Sequence, residues 1–204
     1  MTSPYASMSA SVITKLARMG RWEPNASGRL REAALDLYVE RGFEQTTVAE
    51  IAARAGLTAR TFFRHFADKR EVLFAGSAEL EQHLVDALVG APAEASPMDA
   101  IGVALDAGAA SLGGNRELSR RRRLVIAANG ELQERELIKM TRLATALADG
   151  LRRRGVDEAD ARLAAEAGVS VFRVAFERWV TEPEERALPE VMRESFDRLR
   201  SLSR

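Results

Sequence analysis

Apolar residues recur at three- and four-residue spacing along most of the chain, and the pattern breaks at glycine, proline and capping residues. The first such helix begins near Ala26 or Ser27 and runs to Arg41, with Leu30, Ala33, Ala34 and Leu37 as its inner stripe and Gly42 as its end. Thr47 followed by Glu50 is a capping box that starts a second helix at about Val48. Val48, Ile51, Ala52 and Ala55 share its inner face, and Gly56 ends it. Thr58 is the next N-cap, and Phe62, Phe63 and Phe66 give a third short helix an aromatic underside. With Phe43, Ile51 and Leu57 these rings can build one small core, which is marginal alone and needs support from the rest of the chain.

That support is expected from a helix over residues 68–89, capped by Asp68, with Leu73, Leu80, Leu84 and Leu88 on a shared face. Residues 90–97, GAPAEASP, break the pattern. Further helices are predicted at about 98–112, 116–128, 131–154, 157–180 and 191–202, separated by Gly113-Gly114, Asn129-Gly130, Gly155 and the stretch from Pro183 to Pro189. The expectation is an all-α protein of about nine helices. Its predicted parts are a weakly patterned N-terminal extension (1–24), a small head of short helices (25–85) and a helical body (86–204). In the extension, Lys15, Arg18 and Arg21 precede Trp22, which is costly to leave exposed. Such a basic arm can reach DNA, although a dispensable extension with Met19 as an alternative start fits too.

Composition narrows the function classes. Thirty basic residues balance thirty acidic ones across the 204-residue chain, yet Arg54, Arg60, Arg64, Lys69 and Arg70 face Asp68 alone between residues 54 and 70. Positive charge therefore gathers around the two short helices joined at Gly56-Leu57-Thr58. That pair has the form of a helix-turn-helix, whose second helix can enter a DNA major groove. The absence of cysteine excludes disulfides, thiolate metal sites and a cysteine nucleophile. No apolar run approaches the ~18 residues of a membrane span, which leaves a cytoplasmic protein as the expectation. His65 and His83 are the only histidines, and no Glu-x-x-His pair or glycine-rich phosphate loop accompanies them, so no metal or cofactor is expected.

The residues Gly42-Phe43, Thr46-Thr47, Ile51-Ala52, Ala55-Gly56, Thr58, Phe62-Phe63, His65-Phe66 and Lys69 resemble the N-terminal pattern of TetR/AcrR-type transcriptional regulators, over about residues 26–74. Many relatives carry tyrosine at the position of Phe63, and a phenylalanine lacks the hydroxyl that reaches a phosphate. The resemblance implies a homodimer on a pseudo-palindromic double-stranded DNA operator, usually a repressor released by a small-molecule effector. Thr47, Thr58, Arg60, Thr61, Phe63, Arg64, His65 and Lys69 are the candidate DNA-binding residues, with Arg60 for a base edge and Lys69 for phosphate. It also implies dimerisation through the last two long helices, placing Gly168, Phe172, Phe176, Trp179, Phe196 and Leu199 at the interface.

Leu105, Met140, Ala144, Phe172 and Arg173 are candidate walls of an effector pocket between helices 98–112, 131–154 and 161–180, chosen from spacing. The alternative is a tightly packed body in which Arg173 pairs with Glu177. The run Arg120 to Arg123, with Arg116, reads as a solvated face paired with Glu117, Glu131 and Glu134, or as an anion site. Two other classes of function remain open on the pattern alone: an all-helical protein-interaction module, and a metal-free helical enzyme.

Overall fold

The computed structural model describes residues 25–183 and 185–202, and every regular element among them is helical. In chain order they are α1 (Ala26–Arg41), α2 (Val48–Arg54), α3 (Ala59–His65), a 3₁₀ turn (Glu71–Phe74), α4 (Ser77–Val89), α5 (Pro97–Leu112), α6 (Arg116–Ala127), α7 (Gly130–Arg153), α8 (Glu158–Thr181) and α9 (Leu188–Leu202). Lys15, Arg18, Arg21 and Trp22 of the basic extension lie outside the described residues.

The helix expected over 68–89 is two pieces. Asp68 Oδ1 accepts the backbone N–H groups of Arg70 (2.8 Å) and Glu71 (3.0 Å), which starts the 3₁₀ turn. Gly76, at φ +83°, then turns the chain through the left-handed region before α4 begins. Leu73 therefore packs in the head, whereas Leu84 and Leu88 pack in the body.

Two apolar cores result. The head core gathers Leu30, Ala34, Leu37, Phe43, Ile51, Phe62 and Phe66 with Val72, Leu73 and Phe74. It is closed by Val125 and Ile126 of α6 and Leu132 of α7, so two body helices share with residues 72–74 the support expected from residues 68–89. The body core is built on α8. A Cβ added at Gly168 would lie 2.6 Å from Ile101 Cγ2, so this glycine lets α5 approach closely. Trp179 is buried, its Nε1 donating to the Arg186 carbonyl at 3.1 Å.

The arginine run of α6 is a set of struts, not a solvated face. Successive residues on a helix point in different directions, and each arginine meets a different neighbour. Arg116 donates to the carbonyls of Trp179 (2.6 Å) and Glu182, and Arg120 to that of Val180 (3.0 Å), which caps the end of α8. Arg121 pairs with Asp36 of α1, Arg122 with Glu136 (2.7 Å) and the Leu73 carbonyl (2.6 Å), and Arg123 with Glu177. Of the three acids expected as partners, Glu117 meets Arg120 at 3.8 Å, while Glu131 pairs with Arg70 at 3.3 Å.

Candidate nucleic-acid interface

The helix pair is held by local hydrogen bonds that its sequence encodes. Thr47 accepts the Glu50 N–H at 3.3 Å and donates its hydroxyl and backbone N–H to Glu50 Oε2, at 2.8 and 2.9 Å. These bonds, with the Arg41 charge, hold the Glu50 carboxyl below the usual carboxylate range. At the far end of α2 the Leu57 N–H reaches the Ala52 carbonyl (2.8 Å) and the Gly56 N–H that of Ala53 (3.0 Å), a Schellman motif with Gly56 at φ +67°. Arg29 of α1 donates to the Ala55 carbonyl and ties this turn to the first helix. Thr58 then caps α3 by accepting the Thr61 N–H at 3.2 Å, and its hydroxyl lies 3.0 Å from that of Thr61.

Phe62 is wholly buried and Phe66 nearly so, which fixes the roll of α3 about its axis. Arg60, Phe63, Arg64 and His65 are turned outward, with Phe63 59% exposed and edge-on to Phe62 at 5.5 Å. A large ring presented to water between two arginines is a poor arrangement for stability and a suitable one for contact with sugars or thymine methyl groups.

Ion pairing changes the charge count read from the sequence. Arg54 forms a two-pronged pair with Glu40, at 3.0 and 2.8 Å, and Arg70 meets Asp68 and Glu131. Lys69 donates to the carbonyls of Phe43 (2.8 Å), Glu44 (3.2 Å) and Thr46 (3.1 Å) and lies 4.4 Å over the Phe43 ring. Its own carbonyl accepts the Tyr38 hydroxyl at 2.6 Å; burial, with the Asp68 charge adding, pushes that phenol up. Lys69 thus holds the turn after α1 together, its ammonium engaged by three carbonyls of that turn. Thr47 likewise has its hydroxyl proton committed to the cap. Arg60 and Arg64 have no ion-pair partner among the described residues, and they carry the free charge of this face. Tyr38 and Arg29 were missed in the sequence, although Tyr38 continues the Leu30, Ala34, Leu37 stripe that marks the inner face of α1.

The comparisons with known proteins fall on this geometry. Residues 30–75 match the family model described as bacterial regulatory proteins, tetR family, and residues 95–203 match the model of the MftR C-terminal domain. The second match alone spans more than half of the chain. The chain belongs to the TetR family. Its members are DNA-binding transcriptional regulators and not enzymes, so of the classes left open by the sequence this is the one that holds.

Within the TetR family, the regulator TcmR of Streptomyces glaucescens is 38% identical over 73 residues, covering 36% of this chain and 32% of that protein. An uncharacterised HTH-type regulator of Mycobacterium tuberculosis H37Rv, Rv2250c, is 31% identical over 77 residues, covering 38% and 39%. The matched stretch is thus between about a third and two fifths of these curated relatives. Among solved structures, SmeT in its triclosan complex superposes with a TM-score of 0.63 over 87% of this chain and 90% of that one, at 21% identity. FadR of Bacillus halodurans superposes with a TM-score of 0.60 over 86% and 94%, at 18% identity. At such identities the likeness is one of fold.

The TetR-type body holds two adjoining cavities. An outer one of about 480 Å³ opens between α6, α7 and α8, and an inner one of about 180 Å³ lies beneath residues 72–77; Arg122, Glu136, Met140, Phe172 and Phe176 line both. Of the candidate effector residues, Met140, Phe172 and Arg173 line these two cavities, whereas Ala144 and Leu105 lie elsewhere. Ala144 is packed in the body core, and Leu105 lines a separate groove between α5 and α9. Helix α6 replaces α5 as the main third wall, because α5 is drawn tight against α8 at Gly168 and gives the inner cavity only Leu112. Glu177, weighed as a partner for Arg173, pairs with Arg123.

The candidate dimer residues are mostly spent inside the chain. Gly168, Phe172, Trp179 and Phe196 are buried, and Phe176 is half-buried, stacked on Phe172 at 6.1 Å. The outward stripe of α8 is instead Leu163, Ala167, Ser170 and Val174, at spacings of four, three and four residues. Val174 shares a groove with Leu199 and Leu202 of α9, and Leu163 (71%), Val174 (54%) and Leu202 (79%) are the exposed apolar members.

A tyrosine at position 63 tests the placing of the α3 face. Phe63→Tyr adds a hydroxyl that can donate to a phosphate, and affinity for operator and random duplexes alike is expected to rise about three- to tenfold. Fluorescence anisotropy on both duplexes checks it, and unchanged affinity would put the ring away from the DNA backbone.

Proposed function

We propose that this TetR-family regulator is a cytoplasmic homodimeric repressor that reads a pseudo-palindromic operator and releases it when a small molecule enters the body. The observation that carries the DNA-reading part is the outer face of α3, where Arg60 and Arg64 flank exposed Phe63 and no acid among the described residues pairs with either arginine. Arg60, in the first turn, reaches a base edge. Arg64, His65, Thr58 and Thr61 meet the backbone, and Thr47 does so only by yielding its bond to Glu50. The head is residues 25–76 and the body residues 77–202, because α4 belongs to the body core.

The two-cavity body supports effector release, as does the likeness to SmeT, which is described both bound to triclosan and as the repressor of the Stenotrophomonas maltophilia multidrug efflux pump SmeDEF. The outward stripe of α8 with Leu199 and Leu202 of α9 supports a dimer with a second copy of the chain, as four helices at one interface. No helix among the described residues is long and apolar enough to cross a membrane.

Arg60→Ala tests the reading. Loss of a bidentate base contact costs about 1–3 kcal/mol on the operator and almost nothing on random DNA. Competition binding measures the ratio, and an equal fall on both kinds of DNA would remove Arg60 from the specificity determinants.

A further inference from the structure

The segment from Glu71 to Ser77 joins head to body, and three cations of the body hold it. Arg122 donates to the Leu73 carbonyl, Arg135 pairs with Glu71, and Lys139 Nζ donates to Ser77 Oγ at 2.7 Å. All three also lie around the buried Phe74 ring, at 5.2, 6.0 and 5.3 Å from its centroid. Their charges are not equally met. Arg122 has Glu136 and Arg135 has Glu71, but Lys139 has no carboxylate partner among the described residues, and its one polar contact is a neutral hydroxyl.

Lys139 also stands on the wall of the inner cavity, whose other walls are mostly apolar: Leu80, Leu112, Leu118, Met140 and Phe176. Burial, with the charges of Arg135 and Arg142 adding, holds the Lys139 ammonium below the ordinary lysine range. Glu136, on the same cavity wall, partly offsets these charges but is paired with Arg122, so the Lys139 ammonium, in contact with a hydroxyl alone, is a site that an anion completes. Arg31, at another edge of the cavity, likewise has no ion-pair partner among the described residues, so the balance of formal charge around it is positive.

We infer that the inner cavity takes an apolar molecule bearing a single acidic group, with the acid against Lys139 and the apolar part along Leu80, Leu112, Met140 and Phe176. This rests on the effector-release reading and names the chemistry of the effector. It also supplies a route to the head. The ammonium that meets the ligand is the one that meets Ser77, the first residue of α4, and residues 72–77 form the roof of the same cavity. A bound acid competes with Ser77 for Lys139 at the point where the chain passes from body to head.

Calorimetry on the full chain with octanoate, 1-octanol and octylamine tests the inference, since the three share an apolar tail and differ in head charge. Octanoate is expected to bind about ten- to a hundredfold tighter than 1-octanol, and octylamine more weakly than either. In Lys139→Gln the preference for the acid disappears while 1-octanol affinity stays unchanged. Equal affinities for acid and alcohol in the unaltered protein would overturn the inference whatever the variant does. So would an equal loss of both ligands in Lys139→Gln, or no binding of any of the three. Affinity of the same unliganded protein for operator DNA is measured alongside, so that a failure of the ligand chemistry is told apart from a failure of the regulator reading.

Discussion

Val174→Arg is expected to give a folded monomer whose affinity for a two-half-site operator is lower by at least about a hundredfold. Two reading heads on one dimer engage the second half-site at a high effective concentration, and separating them forfeits that gain, which is typically about 10²–10⁴. Val174 is half-exposed in the single chain, on the stripe of α8 that continues into the groove with Leu199 and Leu202. An arginine there costs the isolated protomer almost nothing, because it points to water. In a dimer it places an unpaired charge within an apolar contact, which is strongly unfavourable. Phe172→Arg separates this from a core effect. Phe172 is 6% exposed and packed in the body core, so its replacement is expected to lower helical content as well as assembly. Light scattering with circular dichroism distinguishes the two, and a folded, still dimeric Val174→Arg protein would move the interface off this stripe.

Lys69→Met is the second large effect, and it acts through the head's stability and not through phosphate charge. The ammonium satisfies three carbonyls of the turn between α1 and α2, and removal leaves them without that donor while the Phe43 ring loses its cation. Charge-assisted hydrogen bonds contribute about 1.5–3 kcal/mol in favourable cases. With water able to reach the Glu44 carbonyl, a loss of about 2–4 kcal/mol is expected, and a fall in Tm of roughly 5–15 °C for a chain of this size. Binding to all DNA sequences weakens because α2 and α3 lose their seat, while the slope of affinity against salt concentration stays as it was. A slope lowered by one phosphate's worth with an unchanged Tm would restore Lys69 to the DNA contacts.

The head was the most legible part of the sequence, because its signals are local. The Thr47–Glu50 box, the Thr58 cap and the Gly56 turn each involve residues within a few positions of one another, and all three form as their spacing implies. The outward set Arg60, Arg64 and His65 followed from the inward pair Phe62 and Phe66, whereas Phe63, expected on the aromatic underside with them, is exposed because it stands one residue round the helix from Phe62. What the pattern does not show requires knowing a distant partner. Lys69 looks like free charge until the turn at residues 43–46 is folded against it, and Arg54 until Glu40 is. The break at Gly76 was hidden because Leu73, Leu80, Leu84 and Leu88 keep helical spacing across it, although they serve two different cores. In the body, Gly168 of α8, expected at a dimer interface, admits Ile101 of α5 in the same chain. Periodicity marks a buried face without naming what buries it.

In the proposed regulator the outer face of α3, presented twice by a dimer, reads a symmetric DNA site. Selection from a pool of random duplexes with the full chain, followed by footprinting of the winners, tests it most directly. Enrichment of inverted half-sites at a fixed spacing, protected together, is expected, with Arg60→Ala relaxing the preference at a symmetry-related base pair in each half. Enrichment of a single unpaired site, or no enrichment above random DNA, would contradict it.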